Sequence, residues 1–162
     1  MRRVLRRREL VTDDVCYPGE ASGPQARSVQ PAPEFLAALS AGQATAAGAA
    51  ILVGPTDEIE PLAAHLARLS LIAVTFPKIG EGRGFSQARL LRQRYRYAGE
   101  LRAHGAIKRD QLFFLARCGF DSFDLDPTED LPAALAALNA FSVAYQDGSD
   151  AVVQVRRRAS HA

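Results

Sequence analysis

The chain has 162 residues, 48% of them hydrophobic, with 20 basic against 18 acidic side chains for a formal net charge of +2. A chain of this length makes one globular domain burying roughly two-thirds of its unfolded surface, so its stability requires neither a disulfide nor a metal. The near-neutral balance argues against nucleic-acid binding, which depends on neutralising many phosphates at once.

In chain order, MRRVLRRREL comes first, with Val4, Leu5, Leu10 and Val11 set among arginines as in a solvent-facing strand or hairpin. No apolar segment of signal-peptide length follows it. Cys16 to Pro33 carries the glycine and proline punctuation of an irregular connection, and Glu34 to Ala47 reads as a short helix. Residues 1–48 thus form an N-terminal unit, 49–146 an α/β core and 147–162 a loose basic tail. Ala49 to Val53 and Leu71 to Phe76 are apolar runs of the kind buried on both faces. Ile59, Leu62, Leu66 and Leu69 between them recur at helical spacing, with Asp57 and Glu60 placed for a capping box. A helix near Ser86 to Arg96, a strand at Glu100 to His104, a helix at Ile107 to Cys118 and a strand at Ser122 to Leu125 continue the alternation. Gly119 and Phe120 have the order of a left-handed helix end. Asp126-Pro127-Thr128-Glu129 then signals a last helix, with Leu131, Leu135, Leu138 and Phe141 as its apolar stripe.

Strands alternating with helices predict an α/β fold: a mainly parallel four-stranded sheet of consecutive βα units, either open and doubly wound or curled like half a barrel, plus the N-terminal strand or hairpin. In both forms a ligand crevice lies beyond the C-terminal strand ends, where Pro77 to Ser86, His104 to Asp110 and Leu125 to Thr128 meet. Exposed sheet edges would also allow a homodimer.

Charge is unevenly spread. From Lys78 to Arg117 there are ten Lys or Arg and three acids, Glu81, Glu100 and Asp110, whereas Cys118 to Asp150 holds seven acids and no base. Gly80, Gly82 and Gly84 lie between a predicted strand and a predicted helix, where backbone N–H groups and the helix dipole favour an anion. If Ser86 is the N-cap, Arg89 sits in the first helical turn, where the dipole disfavours a cation and a bound anion would relieve the conflict. Arg102 and His104 share one strand face, and a guanidinium there could grip a sulfur or phosphorus oxyanion bidentately. The candidate anion site is therefore Lys78, Gly82, Arg83, Gly84, Ser86, Arg89, Arg102 and Arg109, with Lys108 beside it. Arg92, Arg94 and Arg96 read as a solvated helix face, and Tyr95 and Tyr97 as packing residues.

His104 and Asp110 are the candidate proton-transfer groups, and Asp124 and Asp126 also stand at strand or helix ends. His65 and His161 lack metal-ligand spacing, and Cys16 and Cys118 lie too far apart for a CxxC pair, so no metal is expected. The loop is neither a dinucleotide fingerprint nor a Walker loop, and no flavin, haem or iron–sulfur motif is present, so no cofactor is expected either. Free thiols and the absence of a span of ~20 apolar residues fit a cytoplasmic protein without a membrane partner.

The run FPKIGEGRGFSQARLLRQRYRYAGELRAHGAIKRDQLFFLARCGFDSFDL closely resembles a bacterial family known as domain of unknown function 934. The shared elements are Phe76-Pro77, Glu81 to Arg89, Gly99 to Gly105, Arg109 to Leu112 and Arg117 to Phe123, within the last two-thirds of the chain. Members often carry Asp where this chain has Glu81, and the first 48 residues align poorly. Such proteins are described as oxidoreductases of sulfite reduction, a label drawn from genes lying beside those for sulfite or nitrite reductase. The resemblance implies an accessory role in assimilatory sulfur metabolism: binding a sulfur oxyanion or nucleotide sulfate, docking on sulfite or nitrite reductase, or both. A small enzyme acting on a phosphorylated or sulfated metabolite and a nucleic-acid module are the competing expectations.

Overall fold

A computed structural model describes residues 2–21 and 23–140. Phe141, Tyr145, His161 and the expected basic tail lie outside the described residues. The strands are β1 (Arg3–Arg6), β2 (Glu9–Thr12), β3 (Val15–Cys16), β4 (Arg27–Pro31), β5 (Ala50–Val53), β6 (Leu71–Phe76), β7 (Glu100–Gly105) and β8 (Ser122–Asp124). The helices are α1 (Ala32–Ser40), α2 (Arg83–Arg89), α3 (Leu112–Cys118) and α4 (Leu131–Ala140).

All eight strands form one mixed sheet in the order β2-β1-β8-β7-β6-β5-β4-β3. This corrects the expected four-stranded sheet. From β3 to β8 neighbours are parallel and follow chain order, while β1 pairs antiparallel with both β2 and β8. Crossovers that always step the same way with one hand place their helices on one face, so the sheet is singly wound and curled, as in the half-barrel alternative. Eight strands laid flat would span about 34 Å, yet the terminal strands β2 and β3 are joined only by Asp13 and Asp14, a reach of about 11 Å. Backbone bonds bridge the junction: Asp13 N–H donates to Arg2 O at 2.9 Å on the β1 side, and Asp14 O accepts from Arg27 N–H at 2.8 Å on the β4 side. The curl therefore brings the two ends of the sheet to one continuous stretch of chain.

The outer face holds the larger core. Ile51, Val53, Ile72, Val74, Phe76, Leu101, Ala103 and Phe123 meet the helical layer through Phe35, Leu91, Leu115 and Leu138, each large side chain contributing about 1.5–3 kcal/mol by leaving water. Val4 and Leu5 are both fully buried. The expected solvent-facing strand is thus an interior one, because β8 covers its other edge and α4 packs on it.

Several local expectations are also corrected. Residues 16–33 hold the end of the two-residue β3, too short to show periodicity, and β4, whose RSVQP sequence has a single apolar side chain facing the interior, Val29. In place of the 59–69 helix there are two 3-10 turns, Glu60–Leu62 and Leu66–Arg68, and Asp57 Oδ2 accepts from Gly54 N–H instead of capping a helix. Asp126 organises a turn, accepting from Thr128 N–H and Oγ1. The last helix begins after Asp130, which accepts from Ala133 N–H at 3.1 Å. Gly119 does end α3 in the left-handed region at φ 113°, with Phe120 N–H donating to Leu115 O.

Candidate functional site

The parallel register sets the inner face in rows. Leu52, Ala73, Arg102 and Ser122 are aligned, and one row nearer the C-terminal strand ends Thr75, His104 and Asp124 are aligned. Beneath both lie Ala50, Leu71 and Glu100, whose apolar members pack with Val15, Tyr17 and Val29.

Arg102 is fully buried at the centre of this interior. Its two terminal nitrogens donate to the two carboxylate oxygens of Asp13 at 2.8 and 2.9 Å, and it also donates to Glu100 Oε1 at 2.7 Å and Ser122 Oγ at 3.1 Å. Burial lowers the pKa of this guanidinium, but its hydrogen bond to Asp13 and the surrounding negative charge more than offset that, leaving it above its ordinary value. Burial likewise pushes the Glu100 carboxyl up, while the Arg102 charge outweighs burial and holds it below the usual range. Arg102 is therefore removed from the expected anion site, its donors already satisfied by carboxylates.

Above Arg102 the mouth is polar. His104 Nδ1 lies 2.8 Å from Asp124 Oδ2. A carboxylate only accepts, so Nδ1 carries a proton and Nε2 is the ring nitrogen turned away from Asp124. The His104 side chain is 24% exposed against 10% for Asp124. Tyr17 stacks on the imidazole at 3.7 Å between ring centroids, with planes 10° apart, and Arg2 covers Tyr17 at 5.1 Å. Arg2 also bonds Glu20 and approaches Asp124 at 3.5 Å. Burial raises the Glu20 pKa, but the Tyr17 backbone N–H and Arg2 together bring it below its ordinary value. Two buried polar atoms here lack a hydrogen-bond partner: Thr75 Oγ1, beside His104 in register, and Arg2 Nη1. Gly105, at φ 114°, fixes the turn after His104; any Cβ there would collide with the Phe76 carbonyl oxygen.

The glycine loop serves packing. Gly80 takes a left-handed turn at φ 86°, Gly82 is the N-cap of α2, and a Cβ on Gly84 would stand 2.5 Å from the Phe76 ring. Ser86 lies inside α2, not at its cap, and Arg89 falls beyond the first turn, out of reach of the N-terminal dipole end. The conflict that an anion was expected to relieve does not arise at Arg89; the first-turn cation of α2 is Arg83 instead. A wider π turn, Leu90–Arg94, continues the helix. Arg92 is buried there, donating to the carbonyls of Gly119, Tyr97 and Gly99 at 2.8, 2.6 and 2.8 Å. That corrects its expected place on a solvated face; Arg94 and Arg96 are exposed and Tyr97 is buried. Lys108 is held by Thr128, Asp126 and Glu129. Arg109 and Asp110 are exposed on the following turn.

The other expected cations group differently. Lys78 and Arg83 are exposed, with no side-chain partner among the described residues, and Arg89 lies over the Phe114 ring at 5.8 Å. Phe114 and Ile79 are exposed by 46% and 63%, and Phe85 joins Phe114 to Phe76 through ring contacts at 5.0 and 5.3 Å. Arg89, Phe85 and Phe114 thus form an aromatic and cationic cluster between α2 and α3. Among the described residues there is no group of three or more His, Cys, Asp or Glu placed to hold a metal, and no helix long and apolar enough to cross a membrane.

Asp124 was visible as a strand-end acid, but its pairing with His104 depends on register between strands 20 residues apart. Thr75, Tyr17 and Arg2 had no local signal. Residues 50–155 match the model of a family described as "Bacterial protein of unknown function (DUF934)". No curated protein and no solved structure matches the chain.

Proposed function

This chain belongs to the DUF934 family, and from that premise we propose that it is an accessory protein of assimilatory sulfite reduction that docks on an acidic surface of the reductase. The observation that carries this reading is the exposed Phe114 ring lying under Arg89, with Lys78, Ile79 and Arg83 also exposed on the segment that leads into α2. Exposed aromatic side chains beside arginines are the composition of interface centres, and a cationic border fits an acidic partner and speeds its encounter. Resemblance supplies the sulfite pathway, and the surface supplies the mode of action. A sulfur oxyanion or nucleotide sulfate at the Lys78–Ser86 loop has weaker support, since Arg102 faces inward and the glycines have packing roles.

Calorimetry of the full chain with sulfite reductase tests the reading. Binding should weaken at least about tenfold in Phe114→Ser, the loss expected of a central aromatic anchor, and in Arg83→Glu/Arg89→Glu, and should weaken with added salt. Absence of binding by the wild-type chain, or equal affinity in both variants, would overturn it.

A further inference from the structure

Independently of docking, we propose that Asp124, His104, Thr75 and Arg2 form a general acid–base centre for a small carbonyl-bearing substrate at the mouth of the curled sheet. Three observations converge on it. His104 is oriented by Asp124 through Nδ1 at 2.8 Å, clamped by the Tyr17 ring, and has no partner for Nε2 among the described residues. Thr75 Oγ1, in the adjacent register position, is buried and unpaired. Arg2 Nη1 is also buried without a hydrogen bond, 3.5 Å from the same Asp124 oxygen that holds His104. A buried donor left unsatisfied costs about 1–3 kcal/mol, and a substrate oxygen accepting from Thr75 would remove that cost, while Arg2, ion-paired to Asp124, supplies positive charge to the same mouth. The site also lies at the C-terminal ends of parallel strands, where barrel-like α/β sheets carry their chemistry.

Charge selects the substrate class. Asp124 and Glu20 face Arg2 and His104, so two carboxylates line the mouth and disfavour a dianion. A neutral or singly charged molecule with a carbonyl oxygen fits. His104 Nε2 takes a proton from the carbon beside the carbonyl; the C–H pair becomes a C–C π bond, and the carbonyl π pair moves onto oxygen, held by Thr75 beside the Arg2 charge. Asp124 stabilises the imidazolium so formed. Return of the proton to carbon or oxygen completes the cycle with no oxidant or cofactor.

Bromopyruvate tests the site, because its ketone can occupy the oxygen position while Nε2 attacks the CH2 group, forming a C–N bond and expelling bromide with the bonding pair. Peptide mass spectrometry of the full chain then compares His104 with His65, which is similarly half-buried. Alkylation of His104 should saturate with reagent and run at least about tenfold faster than that of His65, the low end of what a positioned base gains being larger still. Asp124→Asn should slow it, and Thr75→Val, nearly isosteric, should raise the half-saturating concentration. Equal rates at the two histidines in the wild-type chain, or a rate strictly linear in reagent, would overturn the proposal.

Discussion

Replacing Arg102 by Met removes, among the described residues, the only cation within hydrogen-bond reach of Asp13, whose side chain is 1% exposed, and the closest to Glu100, at 10%. Four charged hydrogen bonds of 2.7–3.2 Å to those two carboxylates disappear with it. Breaking a buried ion pair from one side costs about 3–5 kcal/mol, because the orphaned charge stays in the interior. A domain of this size has about 5–15 kcal/mol in total, so the melting temperature should fall by roughly 6–20 °C. Urea unfolding followed by circular dichroism, or by tyrosine emission since the chain has no tryptophan, measures it. The sign of the pH effect follows from the same geometry. In the wild type the Glu100 pKa is lowered, so its contribution is present above the unfolded value near 4.3 and is lost as pH falls through the folded value. In the variant, burial without the Arg102 charge raises the pKa of the Glu100 carboxyl, so the variant gains relative stability as it protonates. The gap between the two proteins should therefore narrow from pH 7 toward pH 4. A loss below about 1 kcal/mol, or a gap independent of pH, would refute the claim that this triad is a buried electrostatic unit.

Gly84→Ala places a methyl group 2.5 Å from the Phe76 ring and should cost about 1–3 kcal/mol in chemical unfolding by overpacking. Asp130→Ala removes the side chain that accepts from Ala133 N–H and should cost about 1 kcal/mol as a lost cap; Asp126→Ala, at a turn outside the helix, should cost less. Wild-type melting temperature should drop as pH falls below about 4, because Glu20 and Glu100 both titrate below their unfolded values. Asp121 has the opposite sign. Burial raises its pKa despite Arg92, so its contribution is lost as pH rises, and Asp121→Asn should melt closer to wild type at pH 7 than at pH 3.

The core strands were legible because β5 and β6, and the outer-face residues of β7, are apolar enough to announce burial without any partner. The hairpin β1–β2 was legible as a strand but not as an interior one, since its arginines mask Val4 and Leu5; their burial follows from pairing with the distant β8, Leu5 opposite Phe123 and Arg6 opposite Ser122. Strands β3 and β4 left no periodic trace because β3 has two residues and β4 a single apolar side chain facing the interior, Val29. Within the charge excess of residues 78–117, sequence could not separate arginines inside from those outside. Arg92 and Arg102 differ from Arg83 and Arg89 only in having carbonyls or carboxylates brought to them by distant segments.

What the amino-acid order determined by itself is local: the βα alternation, the left-handed helix end at Gly119, and family motifs specific enough to find their relatives. What only tertiary structure decided is which side chains meet. Closing the sheet through Asp13 and Asp14 carries Asp13, Tyr17 and Arg2 across to Arg102, His104 and Asp124. Periodicity encodes the face on which a residue lies, whereas register and curl encode what stands opposite it, and those are set by pairing energies summed over the whole sheet.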